Sequence, residues 1–185
     1  MGGVVFCDRD GTICKEHYGT YIGSWEMFEF LPGVLEAFRL FADAGFKVFV
    51  VSNQAGINKG VITQQQLEEV TKRMLQKVES AGGHIEDVAY CPHRPEERCG
   101  CRKPAPGLIL MLAEKHKIDL PSAWMVGDLA MDVEAGKAAG CKTAVLKTGR
   151  PKSQQDWETI LALQPDLIAE DLLDAARKII ELEGC

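Results

Sequence analysis

Residues 4–12 read Val-Val-Phe-Cys-Asp-Arg-Asp-Gly-Thr, so that a short apolar run ends at two acids. The four apolar residues at 4–7 are typical of a buried strand in a parallel sheet. Asp8 and Asp10 follow where that strand would end. Two carboxylates at this spacing can place one group at a reacting atom and the other beside it for proton transfer. The alternative is an ordinary acidic turn, for which Asp-Gly at 10–11 is equally suitable.

The rest of the chain alternates between helical and strand-like patterns. Pro32 begins one helical pattern that ends at Gly45, and Thr63 with Gln66 forms the capping box of a second helix that ends at Gly82. The later predicted helices lie at 107–115, 131–139 and 172–182. The predicted strands lie at 4–7, 47–51, 85–90, 123–126, 142–146 and 166–169. This alternation predicts an α/β fold with a three-layer, Rossmann-like parallel sheet and helices on both faces.

Length and charge narrow the class of protein. A chain of 185 residues fits one domain spanning 1–185. Its 21 basic and 27 acidic residues give a net charge of −6, which argues against a nucleic-acid partner because such a surface needs a basic face. The longest apolar run, at 46–51, is too short to cross a membrane. We therefore expect a cytoplasmic monomer with no nucleic-acid or membrane partner.

Polar residues follow four of the predicted strands. They are Asp8, Asp10, Ser52, Asn53, Lys103 and Asp128. Because ligands of open α/β sheets bind beyond the carboxyl ends of the strands, we expect these side chains to converge there. Asp8 and Asp128 would then supply carboxylates for a hard cation such as magnesium, while Ser52 and Lys103 suit phosphate oxygens. Taken singly, each has a simpler interpretation: a helix cap for Asp128, a plain loop for Ser52 and a solvated cation for Lys103.

Three of the seven cysteines lie within eleven residues, together with a histidine. Cys91, His93, Cys99 and Cys101 provide the sulfur and nitrogen ligands of a closed tetrahedral zinc site. A full shell of four protein ligands indicates a structural rather than a catalytic metal. The alternative is a mobile loop with free thiols. We therefore predict a zinc loop at 91–101, which would position the adjacent cationic residues.

Taken in order, four segments resemble the motifs of the haloacid dehalogenase (HAD) superfamily of phosphatases. They are Asp8-Arg9-Asp10-Gly11-Thr12, Ser52, Lys103-Pro104 and Gly127-Asp128 with Asp132. The resemblance implies that Asp8 is the nucleophile and Asp10 the general acid and base. It also implies that Ser52 and Lys103 stabilise the phosphoryl group.

The same resemblance implies a catalytic Mg²⁺ bound by Asp8, the backbone carbonyl of Asp10, and Asp128. Asp132 would then lie behind the ligands as a partner of Lys103. No insertion large enough for a cap domain separates the motifs, so we expect an open site for a small substrate.

Within the superfamily, the zinc loop before Arg102-Lys103-Pro104 resembles that of the D-glycero-D-manno-heptose 1,7-bisphosphate 7-phosphatases, which serve lipopolysaccharide precursor synthesis. It resembles the histidinol-phosphate phosphatases next. The first family implies a phosphatase that removes the 7-phosphate of the heptose, with Leu129 standing where some members carry a lysine that contacts substrate. The implied substrate pocket comprises Glu16, His17, Tyr18, Gly19, Ser52, Asn53, Gln54, Ala55, Arg102 and Lys103. A non-catalytic zinc-stabilised binding module is the alternative from another class.

Overall fold

The computed structural model describes residues 2–184, in which six parallel strands form one sheet between two layers of helices. The strands are β1 (Val4–Cys7), β2 (Lys47–Asn53), β3 (Asp87–Cys91), β4 (Ala123–Gly127), β5 (Lys142–Leu146) and β6 (Leu167–Ala169). The helices are α1 (Val34–Asp43), α2 (Gln64–Ser80), α3 (Gly107–His116), α4 (Ala130–Ala139), α5 (Gln154–Ala162) and α6 (Leu172–Leu182). The predicted three-layer α/β fold is therefore confirmed.

The strand order is β3-β2-β1-β4-β5-β6, so the direction of winding reverses between β1 and β4. Apolar side chains from α1, α2 and α6 pack against one face of the sheet. Side chains from α3, α4 and α5 cover the other face. Open α/β sheets bind ligands at such a reversal, because the connections diverge there and leave a crevice.

The end of β1 lies at this reversal. Cys7 pairs with Val50 of β2 and with Val126 of β4, which makes β1 a central strand. Val5, Phe6 and Cys7 are buried, on both faces of the sheet, as the uninterrupted apolar run predicts. The backbone N–H of Asp8 donates the last bond of the ladder, to the carbonyl of Val126 at 2.9 Å. The Asp8 side chain thus begins where the sheet stops.

Strand β2 is two residues longer than predicted. Ser52 pairs with Tyr90 and Asn53 with Cys91 of β3, so both lie within the strand rather than in the loop after it. The prediction ended at the apolar residues, because a polar side chain gives no sign of pairing from the sequence alone. The consequence is that Ser52 and Asn53 are fixed by the sheet ladder.

Helix α5 was not predicted. It begins with a capping box in which Ser153 Oγ accepts from the backbone N–H of Asp156 at 3.1 Å, and Asp156 Oδ2 accepts from the backbone N–H of Ser153 at 2.9 Å. Of its nine residues only Ile160 is buried. The apolar face of α5 is therefore too narrow to predict a helix from the spacing of apolar residues. The capping pair Ser153 and Asp156 is the one helix signal that the sequence carries here.

Replacing Ser153 by Ala should lower the free energy of unfolding by about 1 kcal/mol, because the first turn of α5 loses its side-chain cap. Urea unfolding would measure this. Thr63→Ala is a matched control, since Thr63 Oγ1 caps α2 through the N–H of Gln66 at 3.1 Å. An undiminished stability in Ser153→Ala, with the expected loss in Thr63→Ala, would mean that α5 does not depend on its cap.

Candidate functional site

A buried lysine joins two acids at the carboxyl end of the sheet. Lys103 Nζ lies 2.8 Å from Asp8 Oδ1 and 2.7 Å from Asp132 Oδ1. It also donates to the carbonyl of Val51 at 3.0 Å, so that its three N–H bonds are all used. Burial opposes the charge of this lysine, but Asp132 and Asp8 outweigh it and raise the pKa of Lys103. The site therefore holds a fixed ammonium group beside Asp8.

Asn53 holds the backbone of Lys103 in place. Asn53 Oδ1 accepts from the N–H of Lys103 at 3.0 Å, and Asn53 Nδ2 donates to the carbonyl of the same residue at 3.0 Å. Because Asn53 ends β2, this pair of bonds anchors the connection after β3 to the sheet. We expected the Asn53 amide to bind substrate. In the structure both its oxygen and its nitrogen bond to the backbone of Lys103.

Three carboxylates meet at the reversal of the sheet. One oxygen each from Asp8, Asp128 and Asp132 lies within 4.8 Å of the others. Asp132 Oδ2 accepts from the N–H of Leu129 at 3.0 Å and its Oδ1 binds Lys103, so both of its oxygens are occupied. Among residues 2–184, Asp128 Oδ2 is buried with no hydrogen-bond partner. Asp8 and Asp128 are therefore the carboxylates that remain available to a cation.

The titration of these acids reflects their crowding. Burial raises the pKa of Asp8 to about 6, against the opposing effect of Lys103. Burial and the neighbouring charges of Asp132 and Asp8 raise the pKa of Asp128 well above its usual range. Two buried acids that repel each other, one of which has an unsatisfied oxygen, form the kind of site that a hard divalent cation neutralises. These residues thus fit the predicted magnesium site.

Two glycines enclose the Asp128 carboxylate. A Cβ atom at Gly11 would lie 2.7 Å from Asp128 Oδ2, and one at Gly149 would lie 1.9 Å from the same oxygen. Both have positive φ, at 87° and 80°. The loops after β1 and β5 therefore approach this carboxylate so closely that a side chain at either glycine would clash with it.

Asp10 is held by a second set of donors. Arg9 Nε and Nη2 donate to its two carboxylate oxygens at 3.0 Å each, and Gln54 Nε2 donates to Oδ2 at 2.7 Å. Gln54 also donates to Ser52 Oγ at 3.1 Å. Gln54 is fully buried, so it orients Asp10 and Ser52 from behind, whereas the sequence placed it at the substrate. The supporting role of Arg9 was missed.

A cleft of about 220 Å³ opens beside these groups. Its lining is Asp8, Asp10, Glu16, His17, Thr20, Tyr21, Ile22, Ser52, Asn53, Arg102, Lys103, Leu129, Met131 and Arg150. Of the expected substrate residues, Tyr18, Gly19, Gln54 and Ala55 are absent from this lining. The lining also contains residues that we did not expect at the substrate, namely Thr20 to Ile22, Met131 and Arg150. A larger groove of about 1280 Å³ runs along α2 and includes none of these residues.

The four predicted zinc ligands lie together. Cys101 Sγ is 3.2 Å from Cys91 Sγ, 3.4 Å from Cys99 Sγ and 3.3 Å from His93 Nδ1. Their donor atoms all fall within 4.8 Å of one another, and each of the three thiols is free of a disulfide. Three sulfurs and one imidazole nitrogen at these separations fit a tetrahedral zinc ion. Arg102 Nη1 donates to the carbonyl of His93 at 3.1 Å, which ties the loop to the cleft.

Comparison with known proteins places this geometry among phosphatases. A family model described as HAD-hydrolase-like matches residues 100–175. The D-glycero-beta-D-manno-heptose-1,7-bisphosphate 7-phosphatase of Pseudomonas putida is 36% identical over 177 residues, which cover 96% of this chain and 99% of that protein. The Escherichia coli K12 protein of the same name is 37% identical over 166 residues, covering 83% and 86%.

A solved structure shows the same likeness. The D,D-heptose 1.7-bisphosphate phosphatase from B. bronchiseptica, complexed with magnesium and phosphate, superimposes with a TM-score of 0.87. It is 27% identical and the match covers 97% of this chain and 99% of that one. Separately, no helix within residues 2–184 combines the length and apolar character that a membrane crossing requires.

Proposed function

Because this chain belongs to the family of D-glycero-beta-D-manno-heptose-1,7-bisphosphate 7-phosphatases, within the HAD-like hydrolases, we propose that it removes the 7-phosphate of that heptose bisphosphate in a magnesium-dependent reaction. The observation that carries the proposal is the contact between Asp8 and Lys103, beside Asp128 and at the mouth of a cleft. The product would be a heptose 1-phosphate, a precursor of nucleotide-heptose and the lipopolysaccharide core.

Asp8 acts as the nucleophile in this proposal. One of its carboxylate oxygens attacks phosphorus, the bond from phosphorus to the sugar oxygen breaks, and an aspartyl-phosphate remains on the protein. Lys103, whose ammonium already contacts Asp8 at 2.8 Å, and Ser52 stabilise the oxygens of the transferring group. A magnesium ion held by Asp8, the Asp10 carbonyl and Asp128 would supply further neutralisation of phosphate charge.

Asp10 carries the protons. It donates one to the departing sugar oxygen and, in the second half-reaction, takes one from the water that attacks the aspartyl-phosphate. Inorganic phosphate then leaves and Asp8 is regenerated. Arg9 and Gln54 hold the Asp10 carboxyl in a defined orientation through the bonds described above, which favours transfer to a group bound in the cleft.

The zinc loop is assigned a structural role. Cys91, His93, Cys99 and Cys101 would fill all four positions around a zinc ion, which would leave no open position for a substrate. The chain leaves this cluster directly into Arg102 and Lys103. Zinc would therefore fix the starting point of the segment that supplies both cations to the cleft.

A comparison of substrates tests the proposal. We expect magnesium-dependent phosphate release from D-glycero-D-manno-heptose 1,7-bisphosphate to exceed release from histidinol phosphate or fructose 1,6-bisphosphate by about tenfold or more in kcat/KM. Phosphorus NMR should show the remaining phosphate at C1. A preference for histidinol phosphate would reassign the substrate, and no release from any of the three would favour a binding module.

A further inference from the structure

The connection between β5 and α5 carries a lysine that the proposed reaction does not use. The Lys152 side chain is 2% exposed, and its Nζ donates to the carbonyl of Thr148 at 2.5 Å. The same ammonium lies 4.0 Å from Asp128 Oδ2 and 5.7 Å from the centre of the Trp157 ring. A buried ammonium group therefore lies beside a carboxylate that is a candidate metal ligand.

Charge balance gives a reason for this arrangement. Lys103 forms ion pairs with Asp8 and Asp132, and it makes none with Asp128. Within residues 2–184, the one ion pair of Asp128 is that with Lys152. The Asp128 carboxylate is fully buried, and an uncompensated charge at such a position is costly. Lys152 is therefore the cation that faces the carboxylate that Lys103 does not reach.

The position of Lys152 is set by the fold. Thr148 Oγ1 donates to the carbonyl of Gly11 at 2.8 Å, which fastens this connection to the loop after β1. Gly149 lies against Asp128 so closely that no side chain would fit. The ammonium is consequently held near Asp128 by its bond to the Thr148 carbonyl, in a segment that the Thr148 side chain fastens to the loop after β1.

We propose that Lys152 is a positioning residue that balances the charge of Asp128 before magnesium binds and weakens the binding of the ion. The inference rests on the proposed magnesium site. An ammonium group next to a metal ligand competes with the incoming dication for the same carboxylate and repels it. The apo protein is thereby stabilised, and the bound ion remains exchangeable.

Magnesium titrations without substrate test this proposal. Lys152→Gln removes the charge but keeps a donor for the Thr148 carbonyl, whereas Lys152→Arg keeps the charge. Calorimetry with MgCl₂ alone should show magnesium binding to Lys152→Gln tighter by roughly tenfold. Lys152→Arg should stay within about twofold of the wild type. The Tm of metal-free Lys152→Gln should fall by several degrees and be regained with magnesium.

Lys147→Met is the matched control, because Lys147 lies in the same connection and pairs with Glu170 at 2.5 Å, outside the cleft. Its magnesium affinity should be unchanged. Equal or weaker magnesium binding in Lys152→Gln would overturn the proposal, since a merely structural lysine would produce that result. If Lys152→Gln does not fold, Lys152→Met measured at low temperature carries the same expectation. Because no substrate is present, tighter binding would stand even if the heptose bisphosphate proved not to be the substrate.

Discussion

Replacing Asp8 by Asn is expected to reduce kcat for phosphate release by about 10⁴-fold or more, because the reaction then lacks its nucleophile. The amide is nearly isosteric with the carboxylate but carries no negative charge. Its carbonyl oxygen can still accept from Lys103 Nζ, which lies 2.8 Å from Asp8 Oδ1 in the native site. Phosphate release from the heptose bisphosphate, with saturating magnesium, is the measurement.

Folding should survive this change, since asparagine matches aspartate in size and Lys103 keeps Asp132 as its ion-pair partner at 2.7 Å. Asp87→Asn is a suitable control. Asp87 pairs with Lys115 and His116, at 2.7 and 2.8 Å, at the amino end of β3 and away from the cleft, so its loss should leave kcat unchanged. Turnover by Asp8→Asn comparable with that of the wild type would contradict the covalent mechanism.

The sheet could be predicted because its strands carry their own signal. Apolar runs such as 4–7 and 48–51 identify buried strands, and parallel strands bring their carboxyl ends to one edge. Residues directly after such runs, like Asp8 and Asp128, could therefore be assigned to a common site from the order of residues alone. Their catalytic roles still depend on the experiments above.

Contacts made by residues in the long connections could not be predicted from the sequence. Lys152 is 24 residues beyond Asp128 in the chain, in a stretch without apolar periodicity, and no local pattern indicates that the two meet. Arg150 reaches the cleft from the same connection. Loop conformations follow from many weak tertiary contacts, so the sequence gives little information on where their side chains lie.

The contact of Gln54 with Ser52, by contrast, can be expected from their spacing in the sequence. Side chains two residues apart point to the same side of an extended segment. Gln54 was thus placed to reach Ser52, and its Nε2 does so at 3.1 Å while also contacting Asp10. A fully buried amide beside two reacting groups is better understood as a support for them than as a direct ligand of the substrate.

Removal of one predicted zinc ligand should have the largest effect on stability. We expect Cys99→Ala to lower the free energy of unfolding by about 4 kcal/mol, because a structural zinc ion contributes its binding energy to folding. Cys99 and Cys101 pack against the core beneath α3, so loss of a bound ion would also loosen this face of the sheet. Urea unfolding and zinc content per chain measure the two consequences.

The same substitution should weaken substrate binding, because the chain passes from Cys101 directly into Arg102 and Lys103. A displacement there moves both cations, and KM should rise on the order of tenfold or more. Cys141→Ala removes a buried thiol from the same apolar cluster without touching the ligand set, so it should keep its zinc and lose only about 1 kcal/mol. If Cys99→Ala matched Cys141→Ala in stability, zinc content and KM, the loop would fold without a metal and the structural-zinc assignment would be wrong.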